Sequence, residues 1–500
     1  MLSQQPATFE EFEREAARGN VVPVVRAVLA DLQTPVGAFG RVAEGQEFAF
    51  LLESIEGGER VARYSFLGAG PELVVRGRGA NVVVTRGDSK ETREGTNAVE
   101  FLREHFGGRR LAEREGLSPF AGGAVGFLAY DAALWFEPSL GGAADAPEDE
   151  AVFMLFRTTL AFDRVRQRIE ITSVVFTDKA GGDRARLRAL YDAAVRETAR
   201  VEEMLFDAQP ARSRPSKSPA APPPEFRSHW NREGFERAVE TIKEKIVAGD
   251  CYQVVLSQRL SAEVESTPLE VYRALRATNP SPYMYFLRIG DQSIVGASPE
   301  MLVRCRGREL EYRPIAGTRP RGRDEAEDAR LAAEMRADEK EVAEHTMLVD
   351  LGRNDLGRVA EYGTVKVGEL MSVERYSHVQ HLVTSLTARL REGADRFDAL
   401  AACFPAGTVS GAPKVAAMRI IRELEPEPRG VYAGSVLYLD YAGNLDSCIA
   451  IRTIFMRGRR ALLQAGAGVV ADSVPTAEYE ETLNKARALV RAVELAERGL

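Results

Sequence analysis

Apolar and polar residues alternate in short runs between residues 47 and 178. The runs EFAFLLES, ARYSFLG, ELVVRGRGANVVVTRG, AVFMLFRTTLAFDR and RIEITSVVFTD are rich in β-branched and aromatic residues and are separated by glycines. Such patterning predicts strands joined by tight turns, and so an antiparallel, sheet-rich N-terminal part. LRALYDAAVRETARVEEML then changes to the spacing of an amphipathic helix. Residues 207–224, DAQPARSRPSKSPAAPPP, carry six prolines and almost nothing to bury. They predict an extended linker across 207–226.

After the linker, helix and strand patterns mix. FERAVETIKEKIVAGD predicts a helix ended by Gly249, and CYQVVLSQRLSAEV a strand. SPYMYFLRIG, SIVGASPEMLVRCRG and 434–463 predict further strands. DARLAAEMRADEKEVAEHTMLVDLGRNDLGRV, APKVAAMRIIREL and PTAEYEETLNKARALVRAVELAERG predict helices. No internal repeat is visible in the sequence. So many hairpin-like neighbours favour an α+β fold over a doubly wound parallel sheet. The linker divides the chain into 1–206 and 227–500.

Composition narrows the class without naming a function. The chain has 500 residues, 45% of them hydrophobic and 28% charged, which suits a globular protein with a large core and excludes disorder as its main state. The longest apolar stretch, 121–130, ends at Asp131, well short of the roughly 18 residues of a membrane span. The N-terminus has neither a basic nor an apolar leader region, so export is not expected. Cys251, Cys305, Cys403 and Cys448 lie far apart with no CxxC, which argues against a zinc site or a disulfide framework and fits a reducing cytoplasm. A net charge of −8 gives no general attraction to nucleic acid. An anionic ligand would need local positive charge or metal.

Several residues could carry chemistry. Glu341 with Glu344, and Glu478 with Glu481, stand three apart, so each pair shares a helix face and could present two carboxylates to a hard cation. First-turn acidic residues near Pro475 would equally oppose a helix dipole. Gly466 and Gly468 follow an apolar strand and allow close backbone approach to an anion, but the loop fails the dinucleotide fingerprint. GTVSGAPK likewise misses the phosphate-loop spacing. His381 competes with His345 and His378 and is equally readable as a satisfied core histidine. Arg452, inside an apolar run, needs an anionic partner, either a structural carboxylate or a ligand.

The motifs together are more specific than any one of them. LLES (51–54), RYSFLG (63–68), NPSPYMYF (279–286), GASPE (296–300), RPIAGTRPRG (313–322), DEKEVAEHTMLVDLGRNDLGRV (338–359), FPAGTVSGAPKVAAMRII (404–421), LDSCIAIRT (445–453) and QAGAGVVADSVPTAEYEETLNKARA (464–488) resemble the chorismate-utilising enzymes. Within them the likeness is greatest to the anthranilate synthase component I family, and it covers nearly the whole chain. The resemblance implies large, mainly antiparallel sheets packed together with flanking helices. It also implies an Mg2+-dependent lyase that converts chorismate and ammonia to anthranilate and pyruvate, the first step of tryptophan biosynthesis.

Roles follow by position. Glu341, Glu344, Glu478 and Glu481 match the Mg2+ ligands, which reverses the dipole reading. Thr408, Tyr432, Arg452, Gly466, Gly468 and Lys485 match positions that hold substrate or pyruvate. Glu300 matches the acid for the leaving C4 hydroxyl, and His381 the histidine implicated in pyruvate loss. Gln253 stands where isochorismate and salicylate synthases place a lysine base, and Ala316 where aminodeoxychorismate synthases commonly carry lysine. Both departures favour anthranilate. The alternatives are aminodeoxychorismate synthase and a catalytically silent tryptophan-binding regulator. Glu53, Ser54, Pro282, Tyr283 and Met284 match a tryptophan feedback pocket in an N-terminal regulatory part. None of the cysteines sits in a GxCxG glutaminase motif. The implied partner is therefore a separate glutamine amidotransferase, component II, in a two-plus-two heterotetramer.

Overall fold

The computed structural model describes residues 4–55, 63–141, 148–207, 223–376 and 379–499. Most of the expected linker, 208–222, and His378 lie outside the described residues. The α+β expectation is met: two large antiparallel sheets pack against one another, with helices outside and a small three-stranded sheet beside them.

Both sheets are built from residues on either side of the linker. In the first, Phe48–Glu53 pairs with Tyr283–Ile289, and in the second Gly123–Leu128 pairs with Ser435–Asp440. From those two central seams the order repeats outward. In the first sheet Phe48–Glu53 is followed by Tyr64–Ala69, Thr158–Asp163, Arg168–Phe176 and Val21–Leu29. On the other side Tyr283–Ile289 is followed by Gln292–Ser298, Thr453–Arg457, Arg460–Val469 and Gln253–Glu263. The second sheet does the same, with Ala151–Phe156, Leu73–Arg78 and Asn81–Arg86 answering Leu445–Ile449, Met301–Arg306 and Glu309–Tyr312. The fold is thus an internal repeat that the sequence does not display. What repeats is the order and pairing of elements, which many different residues can satisfy.

Several expected strands prove to be pairs. ELVVRGRGANVVVTRG folds back at Gly79 into a hairpin of the second sheet. AVFMLFRTTLAFDR and SIVGASPEMLVRCRG each leave one sheet and enter the other, at Arg157 and at Pro299-Glu300. The expected helix from Asp328 is two, Glu325–Ala337 and Glu339–Gly357. Asp338 breaks it by accepting hydrogen bonds from the backbone of Lys340 and Glu341.

Aromatic side chains fill the space between the sheets. Phe50 meets Phe156 at 4.8 Å, and Phe120 meets Tyr438 at 4.8 Å. Each such buried ring contributes on the order of 1.5–3 kcal/mol. The outer face of the first sheet is covered by the helices Pro35–Val42, Arg184–Phe206, Pro268–Thr278 and Pro475–Arg498. In the last of these the helical period that buries Thr482, Ala486, Leu489 and Val493 also buries Glu478. All four cysteines are buried and free. Among the described residues no helix is long and apolar enough to cross a membrane.

Candidate active site

The chain switches sheets twice side by side in the C-terminal half, and the corner holds Glu300 and Arg452. The backbone N–H of Ala297 donates to the carbonyl of Arg452 at 3.1 Å, and that of Ile449 to the carbonyl of Glu300 at 3.0 Å. Ser298 Oγ accepts a further hydrogen bond from the Glu300 N–H at 3.3 Å. The Glu300 carboxyl is buried, and burial pushes its pKa up to about 8; Thr408 and the Ile315 N–H pull it only part of the way back. Thr408 Oγ1 is near enough to favour the charged form. Among the described residues neither it nor Glu300 Oε1 completes a hydrogen bond, and both are buried. A buried carboxyl oxygen and a buried hydroxyl left without partners are costly unless a ligand answers them.

Arg452 adopts a left-handed φ of 50° at the same corner. Burial lowers its pKa, against which only the Tyr432 charge acts, and its guanidinium forms no ion pair among the described residues. Tyr432 is itself buried, with its phenol pushed up to about 12. A cation left without an anion at a polar corner is a place for a ligand carboxylate.

The glycines answer the sequence argument. A Cβ at Gly466 would lie 2.8 Å from Tyr432 Oη, and one at Gly468 would run into the amide of Gln253. Only glycine lets these side chains approach the strand. Lys485 Nζ donates to the Gly466 carbonyl at 3.0 Å and pairs with Glu481 at 2.7 Å.

The helices Glu339–Gly357 and Pro475–Arg498 bring the four glutamates near one another. Glu344 is raised by burial first and then by the charge of Glu341. Glu478 is raised by burial and by Glu481, against a hydrogen bond from Ser473. Four carboxylates gathered in this way carry the oxygen donors a hard divalent cation takes, so the residues fit Mg2+. They are not drawn together around a point, however. Among the described residues no three His, Cys, Asp or Glu side chains stand close enough to hold a metal ion. Arg319 takes Glu341 at 3.0 Å, and Lys485 takes Glu481.

His381 lies on the central strand of the small sheet, Val379–Val383. Its Nδ1 meets the Gly317 carbonyl at 2.9 Å and Thr318 Oγ1 at 3.1 Å. A carbonyl only accepts, so the proton of the neutral ring sits on Nδ1 and the lone pair on Nε2. Tyr376 packs edge-on against the ring. His345 is instead a core histidine, bonded to Thr384 with its pKa lowered by burial. Thr318 and Arg319 carried no role in the sequence reading although they lie in RPIAGTRPRG. Their signal was adjacency to Ala316, which alone drew attention there.

The five residues of the expected feedback pocket do converge. Glu53 and Met284 are paired across adjacent strands, and Glu53, Ser54, Pro282, Tyr283 and Met284 all line one cavity of about 670 Å³. Ser54 Oγ is buried there without a partner among the described residues. Glu53 is not a free acceptor. Tyr272 donates to it at 2.6 Å and Arg276 at 2.9 Å, and Arg164 stands 3.6 Å away. Tyr283 donates to Asp446 at 3.1 Å.

A carboxyl pushed up by burial and an arginine with no ion pair among the described residues, both held at one sheet-to-sheet corner, together with a group of glutamates on two helices, fit an enzyme for a small anionic substrate. The chain belongs to the chorismate binding enzyme family, whose model matches residues 47–491. It is 45% identical over 502 residues to anthranilate synthase component 1 of Acetivibrio thermocellus, covering 98% of each chain. To the protein of the same name from Pseudomonas putida it is 43% identical over 494 residues, again covering 98% of each. Anthranilate synthase component I from Streptococcus pneumoniae TIGR4 superposes with a TM-score of 0.74 at 36% identity, covering 93% of this chain and 99% of that one. The menaquinone-specific isochorismate synthase of Escherichia coli shares the fold, with a TM-score of 0.67 at 20% identity and coverage of 98% and 99%.

Proposed function

We propose that this chain is a cytoplasmic lyase that makes anthranilate and pyruvate from chorismate and ammonia, in the first step of tryptophan biosynthesis. The observation that carries the proposal is Glu300, a buried carboxyl with its pKa near 8 and an oxygen without a partner. At neutral pH such a group holds the proton that the C4 hydroxyl of chorismate needs in order to leave as water while ammonia attacks C2. Gln253, an amide, supplies no base at the nucleophile's side, which suits an amine nucleophile better than water. Arg452 and Tyr432, with the Gly466 and Gly468 backbone, hold the enolpyruvyl carboxylate. His381 Nε2 then takes the C2 proton as pyruvate departs and the ring becomes aromatic.

Mg2+ held by Glu341, Glu344, Glu478 and Glu481 would neutralise the ring carboxylate and the charge that develops beside it. The nitrogen comes from glutamine through a separate amidotransferase subunit in a two-plus-two assembly. Tryptophan inhibits from the cavity at Ser54, within a regulatory part that centres on 1–206 and borrows Pro282–Met284. Incubation of the pure chain with chorismate, Mg2+ and ammonium tests the reading. Fluorescent anthranilate and an equal amount of pyruvate are expected, and an aminated product without pyruvate release would contradict it.

A further inference from the structure

The strand Ile315–Pro320 touches three of the groups proposed above. The Ile315 N–H faces Glu300, and the Gly317 carbonyl and Thr318 hydroxyl hold His381 Nδ1. Arg319 reaches the other way, to Glu341 at 3.0 Å and to Asp338 at 3.1 Å. Asp338 caps the helix that carries Glu341 and Glu344. The strand is also bulged between Ala316 and Arg319, and Gly317 takes a left-handed φ of 63° there. A Cβ on Gly317 would stand 3.2 Å from Glu341 Oε2. The bulge therefore lies against the carboxylate that Arg319 holds.

Arg319 holds Glu341 through Oε1, and a divalent cation drawn to the same carboxylate meets that positive charge. We propose that Arg319 is a positioning residue that competes with the divalent cation for Glu341, so that cation binding releases the 315–320 strand and resets the partners of His381 and Glu300. This rests on the Mg2+ reading above. Arg319 ties the carboxylates down when no cation is bound. Loading the site breaks that tie and passes a change along the strand to the two proton-transfer groups, so metal and acid–base chemistry are joined through one side chain.

Titration of Mg2+ into the full chain by calorimetry, repeated with Mn2+ by paramagnetic resonance, tests this without any turnover. Arg319→Gln should bind the cation about two- to fivefold more tightly than wild type, as expected for removing a half-exposed ion pair, with Arg319→Lys in between. Lys340→Gln is the control. It removes the same charge one residue from Glu341 without breaking an ion pair, and should tighten binding less than Arg319→Gln does. In hydrogen exchange, Mg2+ should alter the amides of 315–319 in wild type and leave them unaltered in Arg319→Gln. Affinity of Arg319→Gln equal to wild type, or no greater than that of Lys340→Gln, overturns the inference and leaves the metal reading standing. A wild-type chain that binds neither ion overturns both.

Discussion

The two halves of the fold each turn from one sheet to the other at a corner, and each corner carries a glutamate and an arginine at matching places. Glu72 directly precedes the strand Leu73–Arg78 as Glu300 precedes Met301–Arg306. Arg157 precedes Thr158–Asp163 as Arg452 precedes Thr453–Arg457. In the N-terminal corner the pair is closed: Arg157 grips Glu72 through two hydrogen bonds of 2.5 and 2.7 Å. Burial would raise Glu72, but Arg157, Lys179 and Arg86 outweigh it and leave the carboxyl below its ordinary pKa. In the C-terminal corner the same two residue types form no pair, and burial acts on Glu300 without a guanidinium beside it and on Arg452 without a carboxylate. An ion pair satisfies itself. Separated, its members are the residues proposed above as proton donor and anion receptor, at a cost to stability that the surrounding sheets carry.

Exchanging the corners' chemistry should separate them most at Glu300. Glu300→Gln is expected to lower turnover by about 10²- to 10⁴-fold with ammonium as donor, read by anthranilate fluorescence. Glu72→Gln should leave turnover at the wild-type level and cost about 1 kcal/mol in denaturant unfolding, since its pair is partly open to solvent. The same substitutions act oppositely on stability. A carboxyl with an unfolded pKa near 4.5 and a folded one near 8 keeps its proton longer when folded, so stability falls as pH rises from about 4.5 to 8 and is flat above. The loss is at most about 5 kcal/mol. Glu300→Gln should abolish that slope and unfold at higher temperature than wild type at pH 8.5.

The arginines give the next effect. Arg452→Gln should lower kcat/KM for chorismate about ten- to hundredfold by removing a charge-assisted contact, and Arg157→Gln should leave it unchanged. Steady-state kinetics on both variants decides whether the open corner is the anion receptor. The smallest effect lies outside both corners. Ser54→Phe should fill the cavity next to Glu53 and relieve inhibition by tryptophan, with ammonium-dependent turnover close to wild type. Unchanged inhibition would place the tryptophan site elsewhere.

Much of this arrangement was legible in the residues, and what was missed has a physical cause. Alternation found the strands, and length with glycine found most of their ends. It could not show that AVFMLFRTTLAFDR and SIVGASPEMLVRCRG change sheets midway, because both halves of each run are buried and apolar on either side of the corner. The repeat was hidden because it lies in the order and pairing of the strands, which many different residues satisfy. Glu300 was found through the resemblance and Arg452 already by its place inside an apolar run, and the structure adds that neither has an ionic partner among the described residues. Spacing alone gave Glu478 two readings. The phase of its helix turns it inward rather than to solvent. Arg319 could not be read at all, since its contact with Glu341 depends on a bulge that places residues 22 positions apart face to face.

The central claim is that Glu300 is protonated at neutral pH because its corner is left open. Infrared difference spectra of wild type against Glu300→Gln, taken across a pH series, observe that proton directly. A protonated carboxyl band present at pH 6.5 and lost with a midpoint near 8 is the expected result. A Glu300 carboxylate already ionised at pH 6.5 would contradict it.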